Sequence, residues 1–196
     1  MDKIKKTIAE NIAQAKKTLS DLELKTGSDI TTYEQAVASA QTDLDNAKST
    51  YQRAIDNKED AALTTVDDKL AVAKTALDTI NTIITDTDAK SVLSVKNTSY
   101  LDSTKNSYNQ ANESLAAATA GYNAAKINKT VVAINQALDG ASDALNKTFA
   151  SLNNCFNALE NTITSSDFTQ TDLDAYKTSV NTKLTTASLR RRSAAQ

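Results

Sequence analysis

The stretch DITTYEQAVASAQTDLDNAKSTYQRA, residues 29–54, decides the fold class. One apolar stripe runs along it: Ile30, Tyr33, Val37, Ala40, Leu44, Ala47, Tyr51 and Ala54. Every step between them is three or four residues, in strict alternation. That spacing places them on one stripe of an α-helix, whereas a strand needs period two. The same stepping at 3.5 residues on average is the seam of a coiled coil.

The pattern extends in both directions. Toward the N-terminus, Ile8, Ile12, Ala15, Leu19 and Leu22 predict a helix over about residues 2–25. Gly27 offers a left-handed cap after it, and Ser28 or Asp29 an N-cap for the next helix. Toward the C-terminus the phase slips across Asp56–Asp60, and a new stripe runs through Leu63, Val66, Leu70, Ala73, Leu77, Ile80 and Ile84. Thr64 with Asp67, or Thr65 with Asp68, resembles a capping box, so a break near 57–64 is expected; a stutter in one long helix gives the same slip. Thr85–Asp88 reads as a turn and 89–98 as a short helical connector. Further stripes predict helices over about 99–128, 130–163 and 172–189. Gly121 and Gly140 fall inside two of them, as weak points or close approaches. Residues 1–189 therefore read as one elongated antiparallel bundle or coiled coil of five to six long helices, all-α, with a sub-boundary near 86–98. Residues 190–196 read as a loose basic tail.

Composition agrees. The 196 residues include no proline and three glycines, so little interrupts a helix. Only 40% are hydrophobic and 5% aromatic, enough for one narrow stripe per helix but not for a thick core. Abundant Thr, Ser and Asn lower intrinsic helix propensity, which leaves packing to hold the helices. Narrow stripes need neighbours, so a homo-oligomer or larger assembly is expected.

Two internal echoes stand out. Gln-Thr-Asp-Leu-Asp occurs at 41–45 and at 170–174, with Lys48 and Lys177 following at equal distance. Leu44, Ala47, Tyr51, Ala54, Asn57 and Lys58 recur 71 residues later as Leu115, Ala118, Tyr122, Ala125, Asn128 and Lys129. Either a helical hairpin was duplicated, or similar heptads in a small alphabet look alike. The run TQTDLDA at 169–175 loosely resembles the three-helix repeat modules of some Gram-positive surface proteins, over about seven residues and without the secretion signal those carry.

The sequence is poor in chemistry. It has no histidine, which removes the commonest general base and transition-metal ligand. One cysteine without histidine builds neither a catalytic dyad nor a structural zinc site. Asp pairs at 43/45, 67/68, 86/88 and 172/174 suit helix starts and solvated faces. A calcium loop opened at Asp86 would need Gly and Glu where Ser91 and Asn97 stand. No cofactor, metal or small-molecule substrate is expected. Residues 29–90 carry twelve acidic against six basic side chains, which argues against general nucleic-acid binding. Tyr33, Tyr51, Tyr108 and Tyr122 lie on the stripes and read as core.

Two features fall outside the stripes. Cys155 flanks its stripe, either as a half-buried packing residue or as a contact across a dimer. Arg190, Arg191 and Arg192, three of four arginines present, form the one concentrated charge and could meet an anionic surface or an acidic patch. No run is long and apolar enough to span a membrane, and the N-terminus lacks the apolar core of a secretion signal. The expectation is a non-enzymatic structural or assembly protein: a scaffold, or a component of a virion or other large complex, in the cytoplasm or in an assembled particle. The alternative is a protein-binding module of the adhesin or effector kind.

Overall fold

A computed structural model describes residues 2–192, except for the side chains of residues 2–5, 8 and 192. Among the described residues it is helical throughout, with no strand. Four helices follow in order: α1 (Asp2–Thr85), α2 (Ser99–Asn128), α3 (Val131–Glu160) and α4 (Gln170–Arg192).

The expected count of five to six is corrected to four, because two expected breaks do not occur. Gly27 keeps helical backbone, with no positive φ, and a Cβ there would meet nothing within 4 Å. A glycine weakens a helix without obliging it to end. At the second expected break, the hydroxyls of Thr64 and Thr65 donate to the carbonyls of Asp60 and Ala61, four residues back, at 2.9 and 3.0 Å. Hydroxyls bonded within the continuing helix are not available as caps. The phase slip thus takes the stutter-like course, and α1 runs on as a single helix.

The chain divides into two compact units, one up to Ile55 and one from Asp56. The first unit is α1 alone. By rise per residue its helical part, 2–55, is about 80 Å long. All its described side chains are exposed.

The second unit is a four-helix bundle of α1 from Asp56 onward, α2, α3 and α4. Cross-helix contacts fix its topology. Lys129 at the foot of α2 pairs with Asp60 at 3.0 Å, while Tyr122 faces Asp67, so α1 and α2 are antiparallel. Ser114 bonds Asp143 and Asn154 bonds Ser107, which makes α2 and α3 antiparallel. Lys177 meets Glu160 and Arg191 meets Asn146, so α4 returns along α3. The up-down-up-down arrangement follows from short connections.

The core is thin and alanine-rich. On α2 the buried residues are Thr104, Ala111, Ala118 and Ala125, one every seventh position. Small residues let backbones approach: a Cβ on Gly140 would stand 3.6 Å from the Ala118 backbone. Around this contact pack Leu63, Val66, Leu70, Ile134, Ala137, Ala141 and Ala144. A larger cluster above it joins Leu77, Ile80, Ile83, Leu145, Leu152, Leu159, Phe168, Leu173 and Val180. The α1 stripe from Leu63 to Ile80 is almost wholly enclosed here.

The connectors are built by specific hydrogen bonds. The Asp86 carboxylate accepts the backbone N–H groups of Asp88 and Ala89 at 2.7 and 2.8 Å, closing the turn that ends α1. Residues 89–98 form hydrogen-bonded turns instead of the expected short helix. Ser94 there takes left-handed backbone (φ 58°), and its buried N–H donates to the Thr162 hydroxyl. Lys96 and Ile163 exchange backbone bonds with Asn161 and Val92, tying this connector to the one after α3. That pairing draws 161–163 out of the helix, so α3 ends at Glu160, short of the expected 163. The α2–α3 turn is Lys129 in left-handed backbone, then Thr130, whose hydroxyl caps the Ala133 N–H at 3.2 Å.

Candidate interaction surface

The surface with the most unsatisfied apolar content is the stripe of the first unit. Ile12, Leu19, Leu22, Ile30, Leu44 and Ile55 are exposed, and Tyr33, Val37 and Tyr51 show 72%, 69% and 71% of their surfaces. Isolated exposed apolar residues are ordinary, but a contiguous row of them marks an interaction site. The reading of Tyr33 and Tyr51 as core is corrected here: no second helix within that unit covers them. Tyr108 and Tyr122, in the bundle, are half-buried against the core.

The stripe is a regular coiled-coil seam. Counting from Ile30, the first core position (a) holds Ile30, Val37, Leu44 and Tyr51, and the second (d) holds Tyr33, Ala40, Ala47 and Ala54. Between Thr26 and Ile30 the register slips by one stutter, around Gly27. Ile30, Tyr33, Glu34 and Val37 surround a shallow apolar hollow that continues to Ala38 and Gln41. Four residues at these spacings form the hole that accepts a knob from a facing helix. Thr18, Thr26, Thr31, Thr32, Thr42 and Thr50 each donate their hydroxyl to the carbonyl four residues back. These polar side chains turn inward on their own helix and need no partner.

Cys155 and Arg190–Arg192 lie in the second unit. Cys155 is 1% exposed within the α3 core, and burial pushes its thiol up to about 12. A thiol so enclosed stays protonated and unreactive at neutral pH. Arg190 reaches Asp68 of α1 at 3.8 Å. Arg191 donates from Nε to Asn146 at 2.6 Å, and its guanidinium lies 4.5 Å from the centroid of the Phe149 ring. These two arginines belong to the last turn of α4 and dock on α1 and α3. The Arg192 side chain lies outside the described residues, as do residues 193–196.

Three polar features escaped sequence reading. Lys69 is 2% exposed and donates from Nζ to the Ser142 hydroxyl at 3.0 Å; burial lowers its pKa. It faces a groove between α1 and α3 with Asn135, Leu138 and Asp139. The Tyr176 hydroxyl donates to the Asp86 carboxylate, joining α4 to the end of α1. That bond, with the backbone donors, holds Asp86 below the usual carboxylate range, while burial and the carboxylate push Tyr176 up to about 12. Asp172 and Thr169 bond each other across the first turn of α4, which also lowers Asp172. Chain periodicity does not say which carboxylate meets which hydroxyl.

Among the described residues, no three His, Cys, Asp or Glu side chains cluster as a metal would require. Among the same residues, no helix is long and apolar enough to cross a membrane. No family model matches this chain, and no curated protein or solved structure matches it either.

Proposed function

We propose that this chain is a non-enzymatic structural protein that assembles through helix–helix packing, as a scaffold or as a component of a large complex such as a viral or phage particle. One observation carries the reading: a heptad stripe from Ile12 to Ala54 lies uncovered along α1, while the same stepping from Leu63 onward is buried in the bundle. An exposed seam of this length costs solubility unless it is covered in the working state. The bundle then acts as a folded base and the first unit as the associating element.

Size-exclusion chromatography with light scattering tests this directly. The full chain should associate at micromolar concentration. Val37→Asp with Leu44→Asp should dissociate it while Cys155 stays protected from thiol reagents, showing that the bundle remains folded. A parent chain that is monomeric at every concentration would overturn the reading. If that monomer bound a helix of a different protein along the same stripe, it would be a binding module instead.

A further inference from the structure

Resting on that assembly reading, we infer that the stripe of the first unit pairs with a second copy of itself, antiparallel and centred near residue 42. Three observations converge on this arrangement: the sizes of the core residues, the charges beside them, and the hollow at Tyr33.

Size comes first. From Val37 onward the large residues Val37, Leu44 and Tyr51 all occupy position a, and the small residues Ala40, Ala47 and Ala54 all occupy d. A parallel in-register pair would set Leu44 on Leu44 and Ala40 on Ala40. Wide and narrow layers would then alternate, and straight helices cannot follow both spacings at native packing density. Antiparallel pairing sets a against d. Centred on residue 42, it places Ile30 on Ala54 of the second copy, Val37 on Ala47, Leu44 on Ala40 and Tyr51 on Tyr33. Each aliphatic layer then has one large and one small member, which interdigitate at constant spacing.

Charge selects the register. The flanking position e holds Glu34, Gln41 and Lys48, and the opposite flank g holds Asp29, Ala36, Asp43 and Thr50. In the antiparallel pair e faces e, so Glu34 meets Lys48 of the second copy, twice per dimer, and Gln41 meets Gln41. One like-charge contact remains, Asp43 against its own copy. Shifting the register by one heptad either way removes the Glu34–Lys48 pairs. The parallel pair gains Asp43–Lys48 but sets Asp29 against Glu34, and the two offset each other. Lys48 is 3.9 Å from Asp45 on its own helix, an exposed and loose pair that leaves it able to reach across.

The hollow completes the fit. In this register, Tyr51 of the second copy falls opposite Ile30, Tyr33, Glu34 and Val37, the residues that surround it. The two tyrosines are the most exposed large side chains of the stripe. Four tyrosine rings per dimer, at roughly 150–250 Å² each, already supply about half of the area that a stable interface buries.

Two measurements on the full chain test the pairing. Glu34→Cys and Lys48→Cys are introduced in separate chains, mixed, and treated with a short bis-maleimide; native Cys155 is shielded. In the antiparallel dimer, residues 34 and 48 lie within about 3 Å along the axis, while 34–34 and 48–48 are about 24 and 18 Å apart. The mixed 34–48 product should dominate. A dimer that gives no 34–48 product, while Asp29→Cys and Glu34→Cys in separate chains do cross-link, would show a parallel pair and overturn the inference while leaving assembly intact. Second, Glu34→Lys should weaken the dimer on the order of tenfold at low salt, and Glu34→Lys with Lys48→Glu should restore it. Tightening by Glu34→Lys alone would mean that Glu34 faces Asp29, the parallel arrangement. A monomeric parent would overturn both this pairing and the assembly reading.

Discussion

Replacing Asp86 with alanine removes one carboxylate that serves three donors. Its Oδ1 takes the N–H groups of Asp88 and Ala89, and its Oδ2 the Tyr176 hydroxyl. Ala89 is fully buried, so its N–H would be left without a partner, at a cost of about 1–2 kcal/mol. The Asp88 N–H is exposed and regains water, so its loss costs about 0.5 kcal/mol. The Tyr176 bond involves a charged acceptor but is half-exposed, which holds its contribution to about 1 kcal/mol. Asp86→Ala should therefore destabilise the bundle by about 2–4 kcal/mol, and Tyr176→Phe by about 1 kcal/mol. Urea unfolding followed by reactivity of the Cys155 thiol reads this out, because Cys155 becomes accessible only when the bundle opens. The midpoint should fall with unchanged slope. A double-mutant cycle should give a coupling of about 1 kcal/mol between Asp86 and Tyr176. The pH dependence has a definite sign. The folded-state pKa of Asp86 is depressed, so the folded protein holds its proton less tightly than the unfolded chain. The contribution is complete above the ordinary aspartate value of about 4 and is lost as pH falls through the lower folded value. The gap between parent and Asp86→Ala should narrow below pH ~4. A loss under 0.5 kcal/mol, or a coupling of zero, would refute the account of this junction.

Three further substitutions probe separate points. Gly27→Ala should strengthen α1 by about 0.5–1 kcal/mol, seen as more helix by circular dichroism on heating; a left-handed cap at Gly27 would give a loss of about 1 kcal/mol instead. Ser151→Ala should raise bundle stability by about 1 kcal/mol in the same urea assay, because the buried Ser151 hydroxyl has no hydrogen-bond partner among the described residues; a fall of that size would reveal one. Lys69→Met should be neutral or stabilising by about 1 kcal/mol at pH 7, since the Ser142 hydroxyl still donates to Leu138. Burial lowers the Lys69 pKa, so the penalty for its charge is felt at neutral pH and relieved as pH rises past the folded value. Any advantage of Lys69→Met should thus shrink as pH rises past the folded value and vanish by the ordinary lysine value of 10.5, and a loss above 1 kcal/mol at neutral pH would contradict the assignment.

The helical class, the apolar faces and the ends of α2 were legible from periodicity alone, because a stripe at 3.5–3.6 residues constrains local backbone without reference to anything distant. The number of helices was not. Gly27 and the Thr64–Asp68 segment carry real stop signals, yet these are preferences of about 1 kcal/mol that a continuing helix outweighs. The pentapeptide Gln-Thr-Asp-Leu-Asp shows the limit most plainly. At 41–45 it lies in mid-helix, and at 170–174 it opens α4, although Gln41 bonds Asp45 and Gln170 bonds Asp174 in the same way. Only the preceding Thr169, which bonds Asp172 as a cap, distinguishes the second copy. The stripes also could not say which of them finds cover within the chain. Leu44–Tyr51 and Leu115–Tyr122 are written almost alike, but the second pair leans on a bundle and the first is exposed. Sequence alone determined that each helix has a face to bury, because side-chain spacing is local. Tertiary structure decided which faces are covered, that Cys155 and Arg191 are packing residues, and that Asp86 meets Tyr176. Those facts depend on contacts between residues far apart in the chain, which no local period records.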